Sequence, residues 1–200
     1  MTETFFHLIF AVTFLAFTAI RMYYHRLATA TRGKVEFREG TLHTTLRLVV
    51  GIPFMAVFFA YLIWPGIAGW AKLPLPLWAR WIGAIFSILS LPLIVWTQRH
   101  LGSNFSTTLH VRQEHTLVVQ GPYRWVRHPM YTVLFVQLVG ILLITANALI
   151  GGVPLLAFLL IVGTRLKNEE STMLEKFGDE YRQYMGHTGR FLPKLRGMGI

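Results

Sequence analysis

Ionisable and aromatic side chains gather in two short stretches of an otherwise apolar chain. The first is Gly121-Pro122-Tyr123-Arg124-Trp125-Val126-Arg127-His128-Pro129-Met130-Tyr131, preceded by His110 and by His115-Thr116-Leu117-Val118. The second is Arg165-Leu166-Lys167-Asn168-Glu169-Glu170. Two prolines and a glycine break helix around the first stretch, leaving a preorganised basic loop just before the apolar run that starts at Tyr131. Arg165 and Glu169 are four residues apart and project from one face of a helix. Two adjacent acids where an apolar run ends are costly if they face lipid, and such residues ordinarily face an interior or a wet cavity. The chemistry this points to is the holding of a polar ligand at a membrane surface, against a partner arriving from the lipid. The same residues would also serve as a basic turn that sets topology, and Arg165/Glu169 as a surface pair contributing a few tenths of a kcal/mol.

Several other chemistries do not match. His100, His110, His115 and His128 are spaced irregularly, with no HxxxH or HExxH pattern, so no metal site is expected. No GxGxxG follows a strand and no GxSxG elbow is present. The absence of cysteine leaves no disulfide, thiolate ligand or cysteine nucleophile. Tyr123, Trp125 and Tyr131 could anchor the interface, and for Trp125 that is the preferred reading.

The elements that must position these residues are membrane helices. The 200 residues suit one domain, but 54% are hydrophobic and the mean hydropathy is +0.48. They are bunched into long runs rather than spread at amphipathic spacing, which argues for an integral membrane protein. The runs predict spans at Phe5–Ile20, Leu46–Trp64 and Trp78–Trp96, with Pro92 placed to kink the third. Tyr131–Ala146 and Leu149–Leu166 then form a helical pair joined around Asn147, either two tilted crossings or a shallower re-entrant hairpin. Thr97–Met130 is too long for an idle turn. A helix continues over Asn168–Tyr184, with Gly178 expected to interrupt it. The fold expected is all-α and polytopic, with about five membrane helices and a cytoplasmic cofactor-binding cap. Residues 1–96 supply the N-terminal membrane helices and residues 97–200 the functional region.

The net charge of +10 is carried by residues flanking apolar runs, which favours anionic lipid headgroups over nucleic acid as partner. If the chain alternates sides, every Lys and Arg except Lys72 and Arg80 falls on one face. That face is expected to be cytoplasmic, with the N-terminus outside and both polar stretches on the cytoplasmic side. Glu3 precedes the first apolar run and basic residues follow it, the reverse of a secretory leader, so none is expected.

The order His115-Thr116-Leu117-Val118, Gly121-Pro122-Tyr123, Arg127-His128-Pro129-Met130-Tyr131, then Arg165…Glu169-Glu170…Phe177-Gly178…Glu180-Tyr181…Tyr184 is similar to the signature of integral membrane methyltransferases. It resembles the isoprenylcysteine carboxyl methyltransferase family, with the related phospholipid N-methyltransferases, over about residues 97–193. The resemblance implies S-adenosylmethionine as methyl donor and a lipid-associated or prenylated acceptor. It implies cofactor contacts from His110, His115, Thr116, Leu117, Val118, Gly121, Tyr123, His128, Pro129, Met130, Tyr131 and Glu169. Arg165 occupies the position associated with the acceptor carboxylate, and Arg165 and Glu169 are the implied catalytic pair. Val133 departs from the pattern, standing where many relatives have glycine. The leading function is carboxyl O-methylation of an isoprenylcysteine-type substrate. The rivals are phospholipid amine N-methylation and a non-enzymatic transporter or lipid-binding scaffold.

Overall fold

The computed structural model describes residues 2–30, 55–102 and 117–194. Five α-helices build it: α1 Thr2–Ala30, α2 at 55–63, α3 Leu77–Leu101, α4 Pro129–Thr145 and α5 Val153–His187. A 3-10 segment, Pro65–Ala71, leads from α2 towards α3, and a second, Gly121–Arg124, precedes α4. A π turn at Ala148–Gly152 joins α4 to α5. Among the described residues there is no strand, only two isolated bridges, so the all-α expectation holds.

Among the described residues three helical stretches are long and apolar enough to cross a membrane: Thr2–Ala28, Leu77–Leu101 and one within Ala148–His187. Their outward faces carry Leu8, Val12, Ile85, Ile88, Leu156 and Leu160, all exposed. A bilayer accepts that surface without penalty, and the chain is an integral membrane protein. Helix α4 has 17 residues, about 25 Å of helix against a hydrocarbon core of about 30 Å. It is apolar but short for an upright crossing. The expected second span, Leu46–Trp64, is described only from residue 55 onward.

One expectation needs correction. The first helix does not stop at Ile20 but runs on to Ala30, because Arg21, Met22, Arg26 and Leu27 are good helix formers that need no lipid to continue it. Pro92, expected to kink the third span, lies inside α3, whose backbone stays helical from Leu77 to Leu101. Gly178 does interrupt α5, at φ +53°, a left-handed conformation that glycine adopts without a Cβ penalty.

In lipid, helices gain nothing from hiding apolar surface from one another, so small residues and polar pairs hold them together. The α3–α4 interface is built that way. A Cβ at Gly83 would strike the α4 backbone at Ile144, and one at Gly140 would strike Ser87. About one turn beyond the Ser87–Gly140 contact the Ser90 hydroxyl donates to Gln137 Oε1 at 2.5 Å. Helices α1 and α2 join through aromatic contacts of Phe10 with Phe58 and Tyr61. The α4–α5 turn is set by Asn147, whose Oδ1 accepts from the amides of Leu149 and Ile150 while its Nδ2 donates to Ala68 O.

This packing gives the bundle two distinct ends. Glu3, Lys72, Arg80 and the Asn147 turn lie at one. The Gly121–His128 segment and the polar half of α5 lie at the other.

Candidate active site

The loop ahead of α4 is shaped by its backbone. Gly121 has φ +59°, and a Cβ there would run into the His100 ring. Pro122 and Tyr123 are buried, and the Tyr184 hydroxyl donates to Tyr123 O at 2.6 Å. Burial pushes the Tyr123 phenol well above the usual tyrosine range, so it stays protonated. Trp125 is exposed and packs on Trp96, with Arg124 over its ring, in keeping with an interfacial anchor. Pro129 opens α4 at a position where a missing N–H costs nothing.

The chain beyond α5 folds back onto this loop. Arg127 N donates to Gly189 O at 2.8 Å, His128 N to Arg190 O at 3.0 Å, and Gly189 N to Trp125 O at 3.2 Å. Thr132 Oγ1 donates to Phe191 O at 2.9 Å. The loop is therefore clamped between α4, α5 and the returning tail.

Two carboxylates sit inside the clamp. Glu170 is 5% exposed and is gripped by two guanidinium groups. Arg127 reaches its Oε1 through Nε at 3.1 Å and Nη2 at 3.0 Å, and Arg190 reaches its Oε2 through Nη2 at 2.8 Å. Arg127 also donates through Nη1 to Thr188 O. Glu169 is more open. Its Oε1 accepts from the Tyr131 hydroxyl at 2.6 Å and lies 3.4 Å from Arg165 Nη2.

His128 stands between the two acids. Its Nδ1 is 3.8 Å from Glu169 Oε2, and its Nε2 is 3.5 Å from Glu170 Oε1. Both are beyond a well-formed hydrogen bond, and Nε2 is buried without a partner. Its ring stacks on Tyr131. Burial holds the imidazole below the usual histidine range, outweighing the pull of both carboxylates.

Of the residues singled out from sequence, the structure brings His128, Tyr131, Arg165 and Glu169 into one cluster, with Tyr123 tied to it through Tyr184. Pro129 starts the helix that carries Tyr131. Leu117 and Val118 are half-buried on the approach to the turn. Gly121 lies against His100, and Met130 packs with the Phe17–Ile94–Val133 cluster. His110, His115 and Thr116 lie outside the described residues. Val133, the departure from the family pattern, is buried in that same apolar cluster. Arg127 and Arg190 as the holders of Glu170 were not legible. The two residues are 43 and 20 positions from it, and no local pattern links them.

A small polar cofactor with cationic and hydroxyl groups fits these residues. Among the described residues the buried His128 Nε2 has no hydrogen-bond partner, and Glu169 Oε2 has nothing closer than the long His128 approach.

Comparison with known proteins agrees. A model of the isoprenylcysteine carboxyl methyltransferase family matches residues 82–175. The chain is 32% identical over 101 residues to the protein-S-isoprenylcysteine O-methyltransferase of Mus musculus, covering 50% of this chain and 36% of that protein. It is 32% identical over 84 residues to a nickel-cobalt-cadmium resistance protein of Alcaligenes xylosoxydans xylosoxydans, covering 42% of this chain and 39% of that one. The chain thus spans little more than a third of the length of these curated relatives. A solved structure of the eukaryotic intramembrane Ras methyltransferase, an isoprenylcysteine carboxyl methyltransferase, superposes with a TM-score of 0.52 at 27% identity. That match covers 80% of this chain and 56% of the other. The matched stretch runs from α3 through the clamped loop to both glutamates, and over it this chain is similar to the isoprenylcysteine carboxyl methyltransferase family.

Proposed function

We propose that the protein is an S-adenosylmethionine-dependent methyltransferase acting on a lipid-associated acceptor, with carboxyl O-methylation of an isoprenylcysteine-type substrate as its reaction. The observation that carries this reading is the Arg165–Glu169–Tyr131–His128 cluster, set where the apolar part of α5 gives way to charge. When bound, S-adenosylmethionine supplies an electrophilic methyl group that an anionic oxygen accepts by in-line displacement. Glu169 and His128 would hold the cofactor's polar groups, and Tyr131 fixes the Glu169 carboxylate for that purpose. Arg165 is one helical turn nearer the membrane than Glu169, so a lipid-borne acceptor reaches it without leaving the bilayer. Its planar guanidinium can hold a carboxylate through two parallel hydrogen bonds and keep one oxygen aimed. An acceptor carboxylate is already ionised at neutral pH and needs no general base, so alignment is the chain's main contribution; such positioning supplies about 7–11 kcal/mol. The half-buried cluster also keeps water from weakening the attraction between anionic acceptor and cationic donor.

Phospholipid amine methylation would need an acid open to a cationic headgroup. Glu170 is already held by two arginines, and Glu169 lies beside Arg165, which weighs against that reading. We place the site on the cytoplasmic side, since alternation of the apolar runs puts every Lys and Arg of the sequence but Lys72 and Arg80 on one face. Residues 97–200 are then the catalytic region and residues 1–96 its membrane support.

Calorimetry with S-adenosylhomocysteine tests the cofactor assignment. Binding is expected for the unaltered protein and loss of about 1–3 kcal/mol of it in Glu169→Gln. No binding by the unaltered protein would remove the methyltransferase reading. Arg165→Lys should keep cofactor affinity but lose turnover on a farnesyl-cysteine analogue, because an ammonium cannot reproduce the two-point hold. Loss of cofactor binding instead would move Arg165 into the cofactor pocket.

A further inference from the structure

A groove of about 450 Å³ opens between α1, α2 and α4, with no residue of α5 in its lining. Ligand sites commonly have that size. Its walls are Phe14 and Phe17 from α1 and Leu138 and Ile141 from α4, and its basic residues are Arg21, His25 and Arg26. Among the described residues no carboxylate lines it and none pairs with Arg21. Gln137 lines it as well, 3% exposed. The Ser90 hydroxyl occupies the oxygen of that amide, while the nitrogen, Nε2, is buried with no acceptor. A buried donor left over in this way is expensive, and an acceptor arriving from outside the chain resolves it.

An apolar trough, an arginine with no carboxylate partner among the described residues and one buried amide donor describe a receptor for an anionic amphipath. We propose that the groove binds one anionic phospholipid of the surrounding bilayer. Its phosphate lies at Arg21, an acyl chain runs along the phenylalanines and α4, and an ester or headgroup oxygen accepts from Gln137 Nε2. The methyl acceptor is the less suitable occupant. With its tail in this groove its acid would sit at Arg21, and neither Arg165 nor Glu169 reaches the lining. Juxtamembrane cations of this kind draw the anionic lipids of the cytoplasmic leaflet. The site stands whether or not the chain is a methyltransferase.

The test is native mass spectrometry of the purified full chain in mixed micelles holding equal amounts of palmitoyl-oleoyl phosphatidylglycerol and phosphatidylcholine. One phosphatidylglycerol should be retained at least tenfold over phosphatidylcholine. Arg21→Gln should bring the two close to equal, whereas Gln137→Leu should lower both by a few-fold, since ester oxygens are common to both lipids. Leu138→Trp, which fills the trough from a half-buried position, should abolish retention of either lipid while the protein stays monodisperse on size exclusion. Arg182→Gln, at an exposed position of α5 outside the groove, should leave the retention of both lipids unchanged. Equal retention of the two lipids by the unaltered chain, or a preference that survives both Arg21→Gln and Leu138→Trp, overturns the proposal.

Discussion

The bundle holds a buried arginine at each end, and the two make different use of it. Arg80 donates through Nε and Nη2 to Ile144 O, a carbonyl at the end of α4, and through Nη1 to Glu3. Its guanidinium also lies over the Phe6 ring, and its acid partner is 62% exposed. Every contact there ties one helix end to another. Arg127 instead shares the enclosed Glu170 with Arg190, side chains 7% and 6% exposed, and the loop it holds carries His128 with a ring nitrogen left unpartnered. The same ion-pair chemistry makes a closed staple at one end and a frame around open valences at the other. What marks the site is the polar atoms left over beside the charges, rather than the charges themselves.

Breaking the frame should have the largest effect. Glu170→Ala leaves Arg127 buried without its counter-ion, and losing one partner of a buried pair costs about 3–5 kcal/mol. Detergent-solubilised protein should unfold well below the unaltered chain, and any folded fraction should lose S-adenosylhomocysteine binding. A small effect on both would make the cage ornamental.

At the staple, Arg80→Ala should cost about 1–3 kcal/mol, because it strips the donors from the Ile144 carbonyl. Cofactor affinity should be unchanged, measured beside the unfolding midpoint. A loss of cofactor affinity without loss of stability would merge the two ends into one functional unit.

The pH dependence sharpens the contrast further. Burial keeps His128 neutral in the fold, while the unfolded chain takes up a proton near the ordinary value of about 6.5. Stability from this residue is therefore fully present above that pH and declines as pH falls below it. The unfolding midpoint should drop between about pH 7 and 5, and His128→Asn should flatten that drop. A midpoint that rises on acidification would mean that Glu169 and Glu170 charge the imidazole in the folded site.

The smallest effect is expected for Glu3→Gln. An exposed carboxylate paired with Lys72 and Arg80 contributes about 0–1 kcal/mol, so the melting curve should barely move.

The sequence alone determined the all-helical class, the approximate membrane segments and the resemblance to the isoprenylcysteine carboxyl methyltransferase family. Each of these is written in local composition or in motif order. An apolar run long enough to span a bilayer satisfies its own backbone there as a helix, and glycine at 178 can take the left-handed φ at which α5 breaks. The pairing of Tyr131 with Glu169, two motif residues 38 positions apart, was only implied by their shared family pattern. Tertiary structure alone decided that Glu170 is caged while Glu169 stays open. It also decided that Arg190 returns to the site and that Met130 faces the apolar cluster rather than the acids. Adjacent residues on a helix point about 100° apart, so two neighbouring glutamates look alike in sequence yet meet different surroundings. Which of them keeps a free oxygen depends on a tail that folds back across the end of the bundle, and nothing local to either residue encodes that.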